Sequence, residues 1–494
     1  MKEIIKLNAK NLDILPKEVT IPAYNRSKIK AGMVHIGIGS FHRSHQAFYT
    51  DTLLNRSGKT DWGICGVALL ETDQRIFNTL VDQDGLYTLM VTEPDGNLNA
   101  RVIGSIVEYL YAPDNPEAVI EKIADPGIKI ITLTITEGGY NFDSATGEFQ
   151  FAEPSIQWDI KNPENPKTTF GYITRSLKRR RERGIAGLTI QSCDNIQENG
   201  HVLKKMLLSF VRKAEPGLAD WIESEVAFPN SMVDRITPAT TSSDIEKLRL
   251  VYGIDDSWPV VCEPFIQWIV EDNYSNGRPE WESVGVQFVK DVRPFEKMKI
   301  RLLNAGHSLL GFSGTLYGCK TVDEAVRVPL LRTFLSDFMD HEVSPILGNI
   351  EGINIEEYKE SLIQRFANPD IKDQLSRICM ESSSKIPKFL LPTISEQLET
   401  GGPVKRGALV VAAWCHYLEL AGSPGCDFGI QDQMGTVLQD SARASAGRDP
   451  LAFLKMETIF GSLVRSRRFV DTYLSIIDDI RRSGIDKVIR EIGS

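Results

Sequence analysis

The sequence lacks most of what would mark a secreted, membrane-spanning or metal-stapled protein. Its seven cysteines (Cys65, Cys193, Cys262, Cys319, Cys379, Cys415 and Cys426) are odd in number and scattered, with no Cys-x-x-Cys pair. That pattern fits reduced thiols in a cytosol better than a disulfide framework or a structural zinc site. No uncharged apolar run approaches the ~18 residues of a membrane span. The opening MKEIIKLNAK has no apolar signal-peptide core, so a cytoplasmic protein is expected. Basic residues are not in excess: 56 Lys and Arg against 66 Asp and Glu give a net charge of −10. Such a chain is a poor partner for nucleic acid or an anionic membrane surface. Internal repeats and low-complexity linkers are also missing. A monomer or weak oligomer is expected.

What is present is an ordinary globular composition, 42% hydrophobic and 25% charged, in 494 residues. That length favours two domains. Residues 1–32 read as an irregular lead-in broken by Pro16, Pro22 and Gly32. Continuous apolar strands are then predicted at Met33–Ile36, Gly63–Leu69, Ile128–Thr136, Leu188–Ser192, Pro259–Cys262 and Val284–Val289. Helical patterns such as Pro116–Ile123 and Tyr172–Arg183 lie between them. Strands alternating with helices predict an α/β, Rossmann-type doubly wound sheet over 1–290. Past that point the pattern turns almost wholly helical: 295–316, 323–340, 355–366, 393–399, 404–420, 451–460 and 467–491. A mainly α-helical domain over 291–494 is expected, with Pro294 in the first turn of its first helix and the substrate between the domains. The basic run Lys178–Arg183 reads as the last turn of a helix capped by Gly184, not as a nucleic-acid patch.

The first strand runs from Ile36 into Gly37-Ile38-Gly39-Ser40-Phe41-His42-Arg43. Glycines there allow a tight turn and close approach of a pyrophosphate, and the next helix offers its N-terminus. His42 replaces the third glycine of the usual fingerprint, so a plain strand–helix turn stays open. The acid that binds an adenosine ribose falls on Glu71 or Asp73, with Asp73 favoured. Both lie farther from Gly37 than the usual ~20 residues, which calls for a long first helix or loop.

Two common dehydrogenase designs do not fit. No cysteine–histidine spacing suggests a catalytic zinc. The one Tyr-x-x-x-Lys, Tyr24…Lys28, precedes the glycine loop. The segment Glu296–His307 offers another proton acceptor. At about 100° per residue, Lys299, Asn304 and His307 fall near ~0°, ~140° and ~80° on one broad helical face. A lysine taking a hydroxyl proton, with an amide and an imidazole holding the oxyanion, makes a plausible alcohol-oxidation set. An amphipathic helix with polar flanks explains the same spacing.

Several segments together resemble the polyol-specific long-chain dehydrogenases, the family that includes mannitol dehydrogenases and fructuronate reductases. They are His35–Gln46, Thr134–Tyr140, Ser192–Asn195, Met232–Pro238, Cys262–Phe265 and the lysine helix, and they span essentially the whole chain. The resemblance implies metal-independent, NAD-dependent oxidation of mannitol at C2 to fructose, and the reverse reduction. It places the general base on Lys299, oxyanion and substrate contacts on Asn195, Asn304 and His307, and an acidic proton relay on Glu296. Cofactor contacts fall on Ile36, Gly37, Ile38, Gly39, Ser40, Phe41, Arg43 and Asp73. Arg377 and Lys385 match positions that contact polyol hydroxyls, though alone they read as surface charges. Asp234 matches a substrate-binding position, or forms a structural ion pair with Arg235. Thr72 stands before Asp73 where an acidic pair is expected; Asp73 still favours NAD over NADP. The segment Lys385–Phe389 points to the mannitol-oxidising branch.

The same chemistry on D-arabinitol, sorbitol or fructuronate is the near alternative. A methyltransferase would leave Lys299, Asn304 and His307 unexplained. The intact set argues against an inactive NAD-binding protein. A free lysine titrates near ~10.4, and burial beside a cationic nicotinamide is expected to bring Lys299 toward the working range.

Overall fold

The computed structural model describes residues 4–93, 96–143, 146–447 and 449–493. The chain divides after Arg293 into two compact units.

The first unit is organised by five parallel strands: β1 Ala31–Ile36, β2 Gly63–Ala68, β3 Ile106–Tyr111, β4 Ile130–Leu133 and β5 Thr189–Ser192. Their spatial order is β3-β2-β1-β4-β5. This is the order of a Rossmann sheet, with the topological switch point beside β1, where such sheets bind ligands. Val34, Ile36, Val67, Ile131, Leu133 and Ile190 are all fully buried. Buried on both faces, β1, β2 and β4 read as near-continuous apolar runs instead of alternating ones.

β1 leads into helices α1, Ser40–Ser44, and α2, Gln46–Ser57. His45, at φ −116° and ψ −88°, breaks the helix between them. This bent two-part helix is the extra length that separates Gly37 from Asp73. Helix α3, Pro116–Ala124, and helix α4, Thr169–Glu182, pack against each other. The basic run ends α4 as its composition predicts. Arg180 is fully buried and donates to the carbonyls of Ile123, Asp125, Ile128 and Ala186. Arg179 pairs with Glu117 and Glu121, and Lys178 with Glu215.

Three expectations need correction here. Val260–Cys262 and Gln287–Val289 are strands but do not join the main sheet. The first pairs with Tyr87–Thr92, itself in a hairpin with Leu98–Ile103; the second pairs with Gln267–Glu271, beside Ser231–Asp234. The strand expected over Val284–Val289 is shorter than that, because Val284 closes a 3-10 turn and only Gln287–Val289 is extended. The strand β3 carries Glu108 and has no continuous apolar run, so its composition hides its place in the sheet.

The second unit is helical. Helix α5, Arg293–Lys299, has Pro294 in its first turn, as the sequence predicts. A π turn, Ile300–Asn304, joins it to α6, Ala305–Tyr317. Helix α7, Ser382–Phe389, packs against the π turn and α6. Helix α8, Lys405–Leu420, is buried from Gly407 to Cys415 and packs against α6 and against α9, Arg467–Ser483. Two long helices expected from periodicity are broken. Pro329 starts a new helix inside 323–340, because proline lacks the N–H that an interior turn needs. Gly484 separates α9 from α10, Ile485–Gly493. Of the helix expected over 451–460, only Glu457–Phe460 is α-helical.

Candidate active site

In the first unit the C-terminal ends of β1 and β4 open onto a cavity of about 690 Å³. Ile36, Gly37, Ile38, Gly39 and Ser40 line it on one side, and Thr134, Ile135 and Thr136 on another. Gly37 adopts φ +98°, and a Cβ there would lie 2.1 Å from the Thr134 carbonyl oxygen. Only glycine fits both the backbone angle and the approach.

His35 fixes this loop from beneath. Its Nε2–H faces the Gly37 carbonyl at 2.9 Å and the Thr134 hydroxyl at 3.0 Å. Its Nδ1 accepts from the Thr132 hydroxyl at 2.7 Å. Burial lowers the His35 pKa to about 3, so the ring is neutral with its proton on Nε2. His42, in the place of the fingerprint's third glycine, stacks on His35 with ring centroids 3.3 Å apart. Burial and the neighbouring His35 hold His42 well below the usual histidine range.

Asp73 lines the same cavity, beside Leu69, Leu70, Thr72 and Ile76; Glu71 does not. One Asp73 oxygen accepts the Leu70 N–H at 3.0 Å, which ties the carboxylate to the end of β2. Phe41 and Arg43 do not line the cavity. Phe41 stacks on His45, and Arg43 is fully buried, with its guanidinium donating to the Trp258 carbonyl and lying over the Tyr87 ring. Among the lining residues that sequence reasoning missed are Ser155, Lys167, Thr168 and Thr169. The signal for part of this lay in Thr168, which caps α4 by accepting the Gly171 N–H. The glycine that a Cβ would block, the fixed backbone loop and the acid beside apolar side chains fit a dinucleotide with a free ribose 2′-hydroxyl.

Asn195 follows β5 by three residues, at the C-terminal edge of the sheet, and is exposed. Asp234 is buried at the end of Ser231–Asp234. Its neighbour Arg235 donates to the carbonyls of Ser44 and Glu263 and lies over Phe48. Neither Asn195 nor Asp234 lines the cavity described above.

In the second unit Glu296, Lys299, Asn304 and His307 lie along one continuous helical segment. Glu296, Lys299 and His307 are buried, and Asn304 is half-buried. The angles expected for a regular α-helix do not apply across it. The Ala305 N–H bonds to the Ile300 carbonyl, five residues back, so the turn after Lys299 is wider than an α turn. This π geometry draws residues five apart, Lys299 and Asn304, toward one side. The Asn304 Oδ1 is buried and has no hydrogen-bond partner within the protein. The His307 ring packs on Phe366 at 4.4 Å. The flanking cations have structural partners: Lys297 and Arg301 both reach Glu396, at 2.7 and 2.9 Å.

Arg377 and Lys385 come together beside this segment. The helix Leu375–Cys379 packs on α6, where a Cβ on Gly311 would meet Ile378 at 2.9 Å. Arg377 forms a two-pronged pair with Asp373, at 2.7 and 2.6 Å. The Lys385 ammonium donates to the carbonyls of Arg377 and Ile378. Burial, helped by Arg377, lowers the Lys385 pKa. Asp432 holds the start of α7 by accepting from the Ser383 N–H and the Ser382 and Ser383 hydroxyls. Among the described residues, no three His, Cys, Asp or Glu side chains converge as a metal site, and no helix is long and apolar enough to cross a membrane.

Comparison with known proteins places the chain. Residues 31–283 match the model of the mannitol dehydrogenase Rossmann domain, and residues 291–480 match that of the mannitol dehydrogenase C-terminal domain. A mannitol 2-dehydrogenase of Neosartorya fischeri is 48% identical over 98% of both chains, and one of Aspergillus oryzae is 45% identical over the same shares. Among solved structures, Pseudomonas fluorescens mannitol 2-dehydrogenase, in a ternary complex with NAD and D-mannitol, superposes with a TM-score of 0.89. It is 44% identical over 99% of both chains. A D-sorbitol dehydrogenase in substrate-free form superposes at 0.91, with 36% identity over 98% of this chain and 100% of that one. The chain belongs to the mannitol dehydrogenase family.

Proposed function

We propose that this protein oxidises D-mannitol at C2 to fructose with NAD, reduces fructose in the reverse direction, and uses no metal. The observation that carries this reading is the 44% identity, over 99% of both chains, to an enzyme solved with NAD and D-mannitol. Bound at the Gly37–Ser40 loop, NAD supplies the acceptor for the hydride that leaves C2. Asp73 receives the ribose hydroxyls and repels a 2′-phosphate.

The second unit supplies the proton chemistry. Lys299, in its neutral form, accepts the C2 hydroxyl proton at Nζ. As the O–H bond breaks and the C2–H bond gives up its electron pair, the carbon–oxygen bond becomes a carbonyl. The side-chain amides of Asn195 and Asn304 donate to the oxygen while it carries negative charge. One such preorganised donor is worth ~3 kcal/mol of barrier. His307 orients the hydroxyl, and Glu296 relays the proton from Lys299 to solvent. The Asn304 Oδ1, buried without a partner, is an acceptor for a polyol hydroxyl. Arg377, Lys385 and Asp234 bind the remaining hydroxyls.

A second reading, sorbitol as the substrate, is favoured by the likeness to D-sorbitol dehydrogenase. The test is a panel of mannitol, sorbitol, D-arabinitol, fructose and fructuronate assayed with both nicotinamide cofactors by NADH or NADPH absorbance. Mannitol with NAD is expected to give the highest kcat/KM among the polyols. Strong turnover of fructuronate with none of fructose would overturn the substrate. Loss of activity on chelation, restored by zinc, would overturn the mechanism.

A further inference from the structure

The turn after β4 forms a wall of the cavity through Thr134, Ile135 and Thr136. Thr136 lies at φ 60° and ψ 169°. Glycine enters that region freely, whereas a β-branched residue is strained there. Such a residue persists only where its surroundings over-determine it.

Asp194, buried two residues beyond β5, supplies that constraint. Its Oδ1 accepts the Thr136 N–H at 2.9 Å, and its Oδ2 accepts the Ile135 N–H at 3.0 Å. The Tyr140 hydroxyl, at the far end of the same turn, donates to Oδ2 at 2.7 Å and lies 2.5 Å from the Ser192 Oγ. One carboxylate thus ties both ends of the 135–140 turn to the end of β5. The three groups bonded to it are all donors. An asparagine would set its own NH2 against a backbone N–H and lose at least one of these bonds.

We propose that Asp194 is a positioning residue for cofactor binding, holding Thr136 in its strained conformation so that the β4 turn keeps the shape of the cavity wall. The proposal rests on the reading of that cavity as the NAD site. It also gives the carboxylate beside Asn195 a task of its own, distinct from contact with substrate.

The test is NADH binding, followed by fluorescence, with kcat, KM for NAD and Tm measured on the full chain. Asp194→Asn is expected to weaken NADH binding on the order of 10- to 100-fold, with a matching rise in KM for NAD and a much smaller change in kcat at saturating cofactor. Adding Thr136→Gly should restore much of that affinity, because glycine adopts the backbone conformation unaided. Tyr140→Phe, which leaves both backbone bonds in place, should cost only a few-fold. If Asp194→Asn does not fold, Tyr140→Phe decides: wild-type affinity there would refute the proposal. Wild-type affinity in Asp194→Asn, or a loss that Thr136→Gly does not relieve, would refute it too. Wild-type protein that binds no NADH would sink the cofactor reading and this inference with it. Binding in wild type with unchanged variants would sink only the inference.

Discussion

Replacing Gly37 with alanine perturbs the cavity at one methyl group. The new Cβ would stand 2.1 Å from the Thr134 carbonyl oxygen and 3.2 Å from its hydroxyl, whereas real Cβ contacts essentially never fall below 3.0 Å. Either Gly37 or Thr134 must therefore move by about 1 Å. β1 and β4 resist that movement, because four residue pairs from Met33↔Ile130 to Ile36↔Leu133 lock them together. The strain falls on the loop. An alanine at φ +98° adds about 1–2 kcal/mol. The shift also loosens the Gly37 carbonyl from the donors His35 and Thr134, each bond being worth about 1 kcal/mol. The sum is a loss of about 3–4 kcal/mol, which appears as lower stability, weaker cofactor binding or both. Urea unfolding and NADH fluorescence titration of Gly37→Ala against wild type measure the two parts. If binding takes most of the loss, the NADH Kd rises on the order of 100-fold. Wild-type stability together with wild-type affinity would refute the argument.

Asp73→Ala is expected to narrow the preference for NAD over NADP, read as the ratio of the two kcat/KM values; a wild type that uses NADP far better would remove Asp73 from that role. Glu342, buried and accepting the Arg406 and Gly407 N–H groups at the start of α8, has its pKa raised to about 7 by burial. Its folded pKa lies above its unfolded value, so the native state binds the proton more tightly. The group's contribution to stability is therefore retained below pH ~4.5 and lost as pH rises toward ~7, by up to about 3 kcal/mol. Glu342→Gln should flatten that part of the stability–pH curve in urea unfolding, and an unchanged curve would contradict the assignment.

The parts of the fold that the sequence made legible are those where local chemistry and tertiary role agree. Met33–Ile36 and the Gly37–Gly39 turn are readable because a strand buried on both faces is apolar, here in all but His35, and only glycine allows the turn. Pro294 and Gly184 marked helix ends for reasons that hold in any protein. The β3 strand and the strand Leu98–Ile103 are not readable, because their charged residues meet partners that only the folded chain supplies, Glu108 with Lys122 and Arg101 with Asp51. Nor does composition say which sheet a strand will join, so the segments Pro259–Cys262 and Val284–Val289 read as members of the main sheet although their strands pair elsewhere. At the site, Arg43 has the chemistry of a phosphate ligand, but burial turns it toward Trp258 and Tyr87. The angles that group Lys299, Asn304 and His307 hold for a regular α-helix, and the π turn within this segment leaves no mark in residue type. Asp194 stood within a segment that carried the family resemblance, yet its bonds to a strained Thr136 depend on a backbone angle that no pattern reveals.

In the proposed mechanism Lys299 takes the C2 hydroxyl proton. The measurement that tests it most directly is kcat/KM for mannitol oxidation against pH, for wild type and Lys299→Ala, with NADH affinity determined in parallel. Wild-type oxidation is expected to rise with pH as the lysine loses its proton. Lys299→Ala should lose several powers of ten in kcat/KM while keeping most of its NADH affinity, and an added primary amine should restore part of the activity. Near-wild-type activity in Lys299→Ala, with the same pH profile, would contradict it.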